Sequence, residues 1–126
     1  MFNHPIHEQL QKRILVIDGA MGTMLQAENL TYGDFGGEDL DGCNENLVLT
    51  RPDVLKKIHR AYLEAGADII CTNTFGGTPL VLNEYDLGHK ADAINTGAVK
   101  IALDAAREFS TPEWPRFVAG AIGPTT

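Results

Sequence analysis

Basic residues are scarce in this sequence: ten Lys and Arg face seventeen Asp and Glu, for a net charge of −7. A nucleic-acid surface needs clustered cations to neutralise phosphates, so nucleic acid is excluded as the main partner. Cysteine is equally sparse. Cys43 and Cys71 form no CxxC pair, which rules out a disulfide framework and reads as two free thiols. A zinc site needs three or four protein ligands, and His4, His7, His59 and His89 do not complete one by spacing. No metal ligand is assigned. No apolar run approaches the roughly 20 residues of a membrane span. Met1-Phe2-Asn3-His4-Pro5 lacks the basic and apolar regions of a signal peptide, so a cytoplasmic location without a membrane partner is expected. Neither GxGxxG nor GxxxxGK occurs. The GxxG spacing of Gly19 to Gly22 is too weak a sign of a phosphate loop to adopt.

What is present suits a soluble globular domain: 126 residues, 44% apolar and 21% charged. Residues 1–12 are polar and read as a leader, loose or carrying a short helix over Glu8 to Arg13. Ile14-Leu15-Val16-Ile17 is an uninterrupted branched run of the kind that suits a strand covered on both faces. It ends in Asp18-Gly19-Ala20-Met21-Gly22, a carboxylate and a tight turn at the carboxyl end of a strand, where α/β folds place ligands. Met21 to Ala27 opens a short helix, with Met21 and Met24 read as core packing. Thr31 to Asn46, rich in glycine and acids, reads as a long surface loop. Glu45 and Asn46 could close over a substrate from this loop, but the favoured reading is that they are solvated.

Thr50-Arg51-Pro52-Asp53 reads as a helix start, with Thr50 as cap and Pro52 in the first turn. Val54, Leu55, Ile58, Ala61, Tyr62 and Ala65 follow on one helical face, and Gly66 stops the helix. Ala67 to Thr72 is a second buried strand, and Asn73-Thr74-Phe75-Gly76-Gly77 is its carboxyl-end loop. Thr78 to Tyr85 is a short helix. Ala91, Ile94, Ala98, Ile101, Ala102, Ala105 and Phe109 then trace a long amphipathic helix. Arg116 to Ile122 is a third strand, followed by the turn Gly123-Pro124-Thr125.

Strands alternating with helices give parallel pairing by right-handed crossovers. Three parallel strands leave unpaired edges, which favour self-association. A third strand with its loop only begun points to the N-terminal part, about three βα units, of a (β/α)8 barrel that continues past Thr126. A small complete three-layer α/β domain is the alternative.

Four segments occur together and in order: I-D-G-A-M-G-T, C-N-E-N-L-V-L-T-R-P-D-V, A-G-A-D-I-I-C-T-N-T-F-G-G and A-G-A-I-G-P-T. Over residues 10–126 they resemble the homocysteine S-methyltransferase family, and the T-N-T-F and C-N-E-N-L segments are more similar to its cobalamin-dependent branch than to its betaine-dependent one. The resemblance implies a zinc-dependent barrel that binds homocysteine as a thiolate and transfers a methyl group to it from methylcobalamin, giving methionine. A thiol of pKa ~8.5 is mostly protonated at neutral pH, and a metal ion lowers that value. In the family, zinc is held by three cysteines on later strands, two of them adjacent in a glycine-rich motif. That motif does not occur here, so Cys43 and Cys71 do not inherit the role. Residues 13–126 are then a partial homocysteine-binding domain preceding the zinc-ligand strands, and the chain alone is expected to be inactive. No catalytic residue is assigned.

The same resemblance makes Asp18 an acceptor for the homocysteine ammonium, with Gly19 offering its backbone at close range. By its position alone, Asp18 could equally be an N-cap of the next helix. Asn73 and Thr74 are expected in the pocket wall. The implied partners are homocysteine and the domains that carry the cobalamin and folate methyl donors. A non-catalytic small-molecule-binding or regulatory α/β module is the competing reading.

Overall fold

A computed structural model describes residues 4–124. Met1 to Asn3 of the leader, and Thr125 and Thr126 of the turn after the third strand, lie outside the described residues. In chain order the helices are α1 (Pro5–Lys12), α2 (Met21–Gln26), α3 (Tyr32–Phe35), α4 (Leu47–Thr50) and α5 (Pro52–Glu64); strand β1 (Ile69–Cys71) follows, then α6 (Pro79–Leu82), α7 (Ala91–Phe109) and strand β2 (Phe117–Ala119). Short 3₁₀ turns at Glu38–Leu40, Asn44–Asn46, Asn83–Tyr85 and Gly88–Lys90 fill the connections.

The chain is a mixed α/β structure in which helices dominate. β1 pairs with β2 in parallel, Ile69 opposite Phe117 and Cys71 opposite Ala119. On its other side β1 meets the first extended segment through a parallel bridge between Ile17 and Ile69. Asp18 N–H donates to the Ile69 carbonyl at 2.8 Å there, and Ile69 N–H to the Val16 carbonyl at 3.1 Å. Three consecutive chain segments therefore lie side by side, all parallel, as the alternation requires.

The core sits between α5 and α7, which pack on each other and on the sheet. Leu55, Ile58, Leu63, Ile94, Ala98 and Ala102 are essentially solvent-free, and Leu47 of α4 joins them. Each buried leucine or isoleucine contributes roughly 2 kcal/mol relative to remaining exposed. Small residues on α7 let α5 and the sheet approach closely. Gly66, at φ +110°, ends α5 in a backbone geometry that side chains disfavour. Met21 and Met24 pack against the core, as read from the sequence.

Four local readings need correction. Ile14 to Ile17 is extended but is not covered on both faces: Ile14 is 88% exposed and Ile17 55%. A branched run sets the backbone, whereas burial needs neighbours on each face, and among the described residues only β1 pairs with it. The third strand is shorter than expected, since Arg116 precedes the ladder and Ile122 lies exposed beyond it. Thr50 does not cap α5. It closes α4, its hydroxyl donating to the Asn46 carbonyl at 3.3 Å, and Arg51 takes the cap position without a side-chain bond. Thr31 to Asn46 is no open loop. Thr31 and Asp34 form a capping box, Phe35 and Cys43 are buried, and Asn46 Nδ2 donates to the Phe35 carbonyl at 2.7 Å. Both cysteines are free.

Candidate functional site at the carboxyl ends of the strands

The carboxyl ends of the three parallel segments open onto a cavity of about 440 Å³ lined by Asp18, Gly19, Asn44, Glu45, Asn73 and Phe75 among others. Asp18 arrives from the first extended segment, Asn73 and Phe75 from the loop after β1, and Asn44 with Glu45 from the 3₁₀ turn before α4. The lining residues include two carboxylates and no Lys, Arg or His. Its electrostatics therefore favour a cationic group.

Asp18 does not cap α2. Ala20 holds that position without a side-chain bond. Instead Asp18 Oδ2 accepts the Cys71 N–H at 3.0 Å, fastening the first segment to the end of β1 while the carboxylate borders the cavity. Half-buried Cys71 has its thiol pushed up to about 11, first by burial and then by the Asp18 charge and hydrogen bond. A thiol held protonated in this way is a poor metal ligand. Among the described residues, no three His, Cys, Asp or Glu side chains converge to hold a metal. The residues present do not fit zinc.

Gly19 lines the cavity close to α5: a Cβ at this position would lie 3.1 Å from the Tyr62 hydroxyl, which donates to the Ala20 carbonyl at 2.7 Å. Asn73 is buried and lines the cavity, its Nδ2 donating to the Asn44 carbonyl at 2.8 Å. Thr74 is buried behind the wall. Its hydroxyl lies 2.7 Å from that of Thr72 and donates to the Ala121 carbonyl at 2.8 Å, tying the ends of β1 and β2 together. Asp18, Gly19 and Asn73 thus share one cavity, and Thr74 braces it.

Glu45 and Asn46 are not solvated as expected. Asn46 is 3% exposed. Glu45 Oε1 accepts the Gly76 N–H at 2.8 Å. The sequence admits Glu45 as a residue that closes over a substrate but favours the solvated reading, because its partner is a backbone group 31 positions away. At Gly76 a Cβ would stand 2.9 Å from the Glu45 carboxylate.

Parallel segments linked through helices, with an acidic cavity at their carboxyl ends, define an α/β protein. The family model described as homocysteine S-methyltransferase matches residues 15–126. The chain belongs to the homocysteine S-methyltransferase family. It is 50% identical over 119 residues to a methionine synthase of Mycobacterium leprae, covering 94% of this chain and 10% of that protein. Against a methionine synthase of Mycobacterium tuberculosis it is 45% identical over 126 residues, covering 100% and 10%. The chain thus spans about a tenth of the length of these curated relatives. The oxidized form of the homocysteine methyltransferase MmuM from Escherichia coli superposes with a TM-score of 0.79 at 26% identity, covering 97% of this chain and 41% of that one. Its metallated form gives 0.78 at 24% identity, covering 96% and 42%. The described residues make up part of such a barrel. No helix among them is long and apolar enough to cross a membrane.

Proposed function

We propose that this chain supplies the amino-acid end of a homocysteine pocket in a methionine synthase, where homocysteine is methylated to methionine. The observation that carries the reading is the cavity at the strand ends, bordered by Asp18 and Glu45 and free of basic side chains among its lining residues. The homocysteine ammonium pairs with Asp18, a charge-assisted bond in a half-buried setting. The backbone at Gly19 lies against the substrate, where any side chain would crowd both the ligand and Tyr62. Asn73 closes the wall from β1. These groups bind and orient the amino acid and leave its sulfur pointing away from this cluster.

Activation of the sulfur belongs to residues other than these. Zinc, methylcobalamin and the folate donor are supplied by other parts of the intact protein, a division supported by the chain's small share of the length of its methionine synthase relatives.

Asp18→Asn in the intact protein tests the reading. The amide oxygen keeps the bond to the Cys71 N–H, so folding is retained while the charge is lost. Homocysteine binding measured by calorimetry should weaken at least about tenfold, the consequence of losing a charged hydrogen bond of ~1.5–3 kcal/mol. Bound zinc should be unchanged. Unaltered homocysteine affinity would remove Asp18 from the site, and with it the reading of this cavity.

A further inference from the structure

We infer that Glu45 is a positioning residue for homocysteine binding, acting through the loop after β1; the inference rests on the cavity being the homocysteine pocket. The loop Asn73–Gly77 carries two of the cavity's lining residues, Asn73 and Phe75, on a backbone that is not part of any strand or helix. Inside it Gly77 N–H donates to the Thr74 carbonyl at 3.0 Å, and the Thr74 hydroxyl reaches the Ala121 carbonyl; three more bonds hold it from the surrounding elements. Asn73 Nδ2 is held by the Asn44 carbonyl at 2.8 Å, Gly76 N–H by Glu45 Oε1 at 2.8 Å, and the Gly77 carbonyl by Asn95 Nδ2 of α7 at 2.7 Å. Two of these three fasteners come from the adjacent residues Asn44 and Glu45.

Close packing around the two glycines restricts the loop to this path. A Cβ on Gly76 would meet the Glu45 carboxylate and Val81, and one on Gly77 would lie 3.0 Å from both Asn95 Oδ1 and the Thr74 carbonyl. A Cβ on Gly123 would run into the Phe75 carbonyl from the β2 side. Gly76 and Gly77 are buried, so a freed Gly76 N–H has no ready replacement partner in solvent. Glu45 is the one ionisable side chain among these fasteners, and it also borders the cavity. Its bond to Gly76 fixes where Asn73 and Phe75 stand, and so fixes the wall opposite Asp18's segment.

The acceptor oxygen does this work, and the net charge is secondary. Glu45→Gln keeps an acceptor for the Gly76 N–H, although a neutral one is weaker than a carboxylate. Glu45→Ala removes it. In the intact protein, Glu45→Ala should raise KM for homocysteine about tenfold, as loss of one such bond implies, with a smaller change in kcat. Glu45→Gln should recover most of that loss, leaving a rise of about threefold or less. Amide exchange at Gly76 should accelerate in Glu45→Ala and stay protected in Glu45→Gln, while core amides of α5 and α7 are unchanged in both.

Three outcomes overturn the inference. One is Glu45→Ala with an unchanged KM. Another is Glu45→Gln as impaired as Glu45→Ala while Gly76 stays protected, which would make Glu45 a direct charged contact. The third is an unprotected Gly76 amide in the parent protein. Asp18→Asn measured alongside separates the two levels. If Asp18→Asn loses affinity and Glu45→Ala does not, the inference alone fails; if neither does, the pocket reading fails with it.

Discussion

Asp68 gathers three donors from two distant parts of the chain. Arg13 Nη2 and Trp114 Nε1 each donate to Oδ1 at 2.7 Å, and the Val16 N–H donates to Oδ2 at 2.8 Å. Burial at 2% exposure works against the carboxylate, and the three donors with the Arg13 charge outweigh it, holding the pKa at about 2. Beside it the Arg116 guanidinium stacks 3.5 Å over the Trp114 ring and donates to the Leu63 and Ala67 carbonyls. This cluster lies at the amino ends of the strands, opposite the cavity, where conserving the fold rather than binding is the usual task. A carboxylate whose folded pKa lies below its unfolded value of ~3.9 adds stability above that value, about 2 kcal/mol, and loses it as pH falls from ~4 toward 2. Asp68→Asn should therefore lower stability to urea by about 2 kcal/mol at neutral pH, the gap closing near pH ~2. A gap that persisted undiminished in acid would mean the charge is not its source. The same contrast separates what is legible at this scale. That Asp18 ends a strand follows from four branched residues before it; that Asp68 is the hub does not, because its donors are remote in sequence.

Between elements, the contact of α4 with α7 sets two small effects against each other. Gly97 lies inside α7, and a Cβ there would stand 2.7 Å from Val48 Cγ1. Gly97→Ala gains about 1 kcal/mol of helix propensity. Overpacking against a buried, β-branched neighbour costs roughly 1–3 kcal/mol. Packing should win, lowering stability by about 1 kcal/mol in thermal unfolding. In a double-mutant cycle with Val48→Ala the penalty should vanish and leave the propensity gain; strict additivity would show that the contact is not the cause. The helices α5 and α7 were legible because their apolar residues recur every three or four positions, and β1 because Ile69-Ile70-Cys71 is short, apolar and followed by Thr-Asn. Thr31 to Asn46 was not. Its composition is that of a loop; beyond the local Thr31–Asp34 capping box, its order comes from longer-range bonds, Asn46 to Phe35 and Glu45 to Gly76, that no local pattern announces. The site was half legible for the same reason: Asp18, Gly19 and Asn73 follow from strand ends, whereas Glu45 could be raised from the sequence but is placed only by its bond to Gly76.

At the scale of the whole molecule, the most exposed large apolar side chains belong to the first extended segment and to the segments after β1 and β2. Ile14 is 88% exposed, Ile122 84%, Phe75 64% and Val16 56%, and the first extended segment meets a neighbour on one side only among the described residues. The chain covers 41% of the MmuM structure it superposes on, so much of a full barrel's strand pairing is not contained in these 126 residues. An apolar edge with free backbone donors and acceptors pairs with whatever edge it meets. The net charge of −7 opposes association between copies, and salt screens that repulsion. The 126-residue chain on its own should therefore self-associate in sedimentation equilibrium, more strongly at high salt than at low. Val16→Lys places a charge on the edge, as natural edge strands do, and removes apolar contact. It should weaken association about tenfold or more, since losing one buried valine is worth ~1.5 kcal/mol or above. Its circular dichroism should match that of the parent, because Val16 contributes its backbone, and not a buried side chain, to the pairing with Asp68 and Ile69. A clean monomer at every concentration and salt would overturn the expectation that this edge drives association.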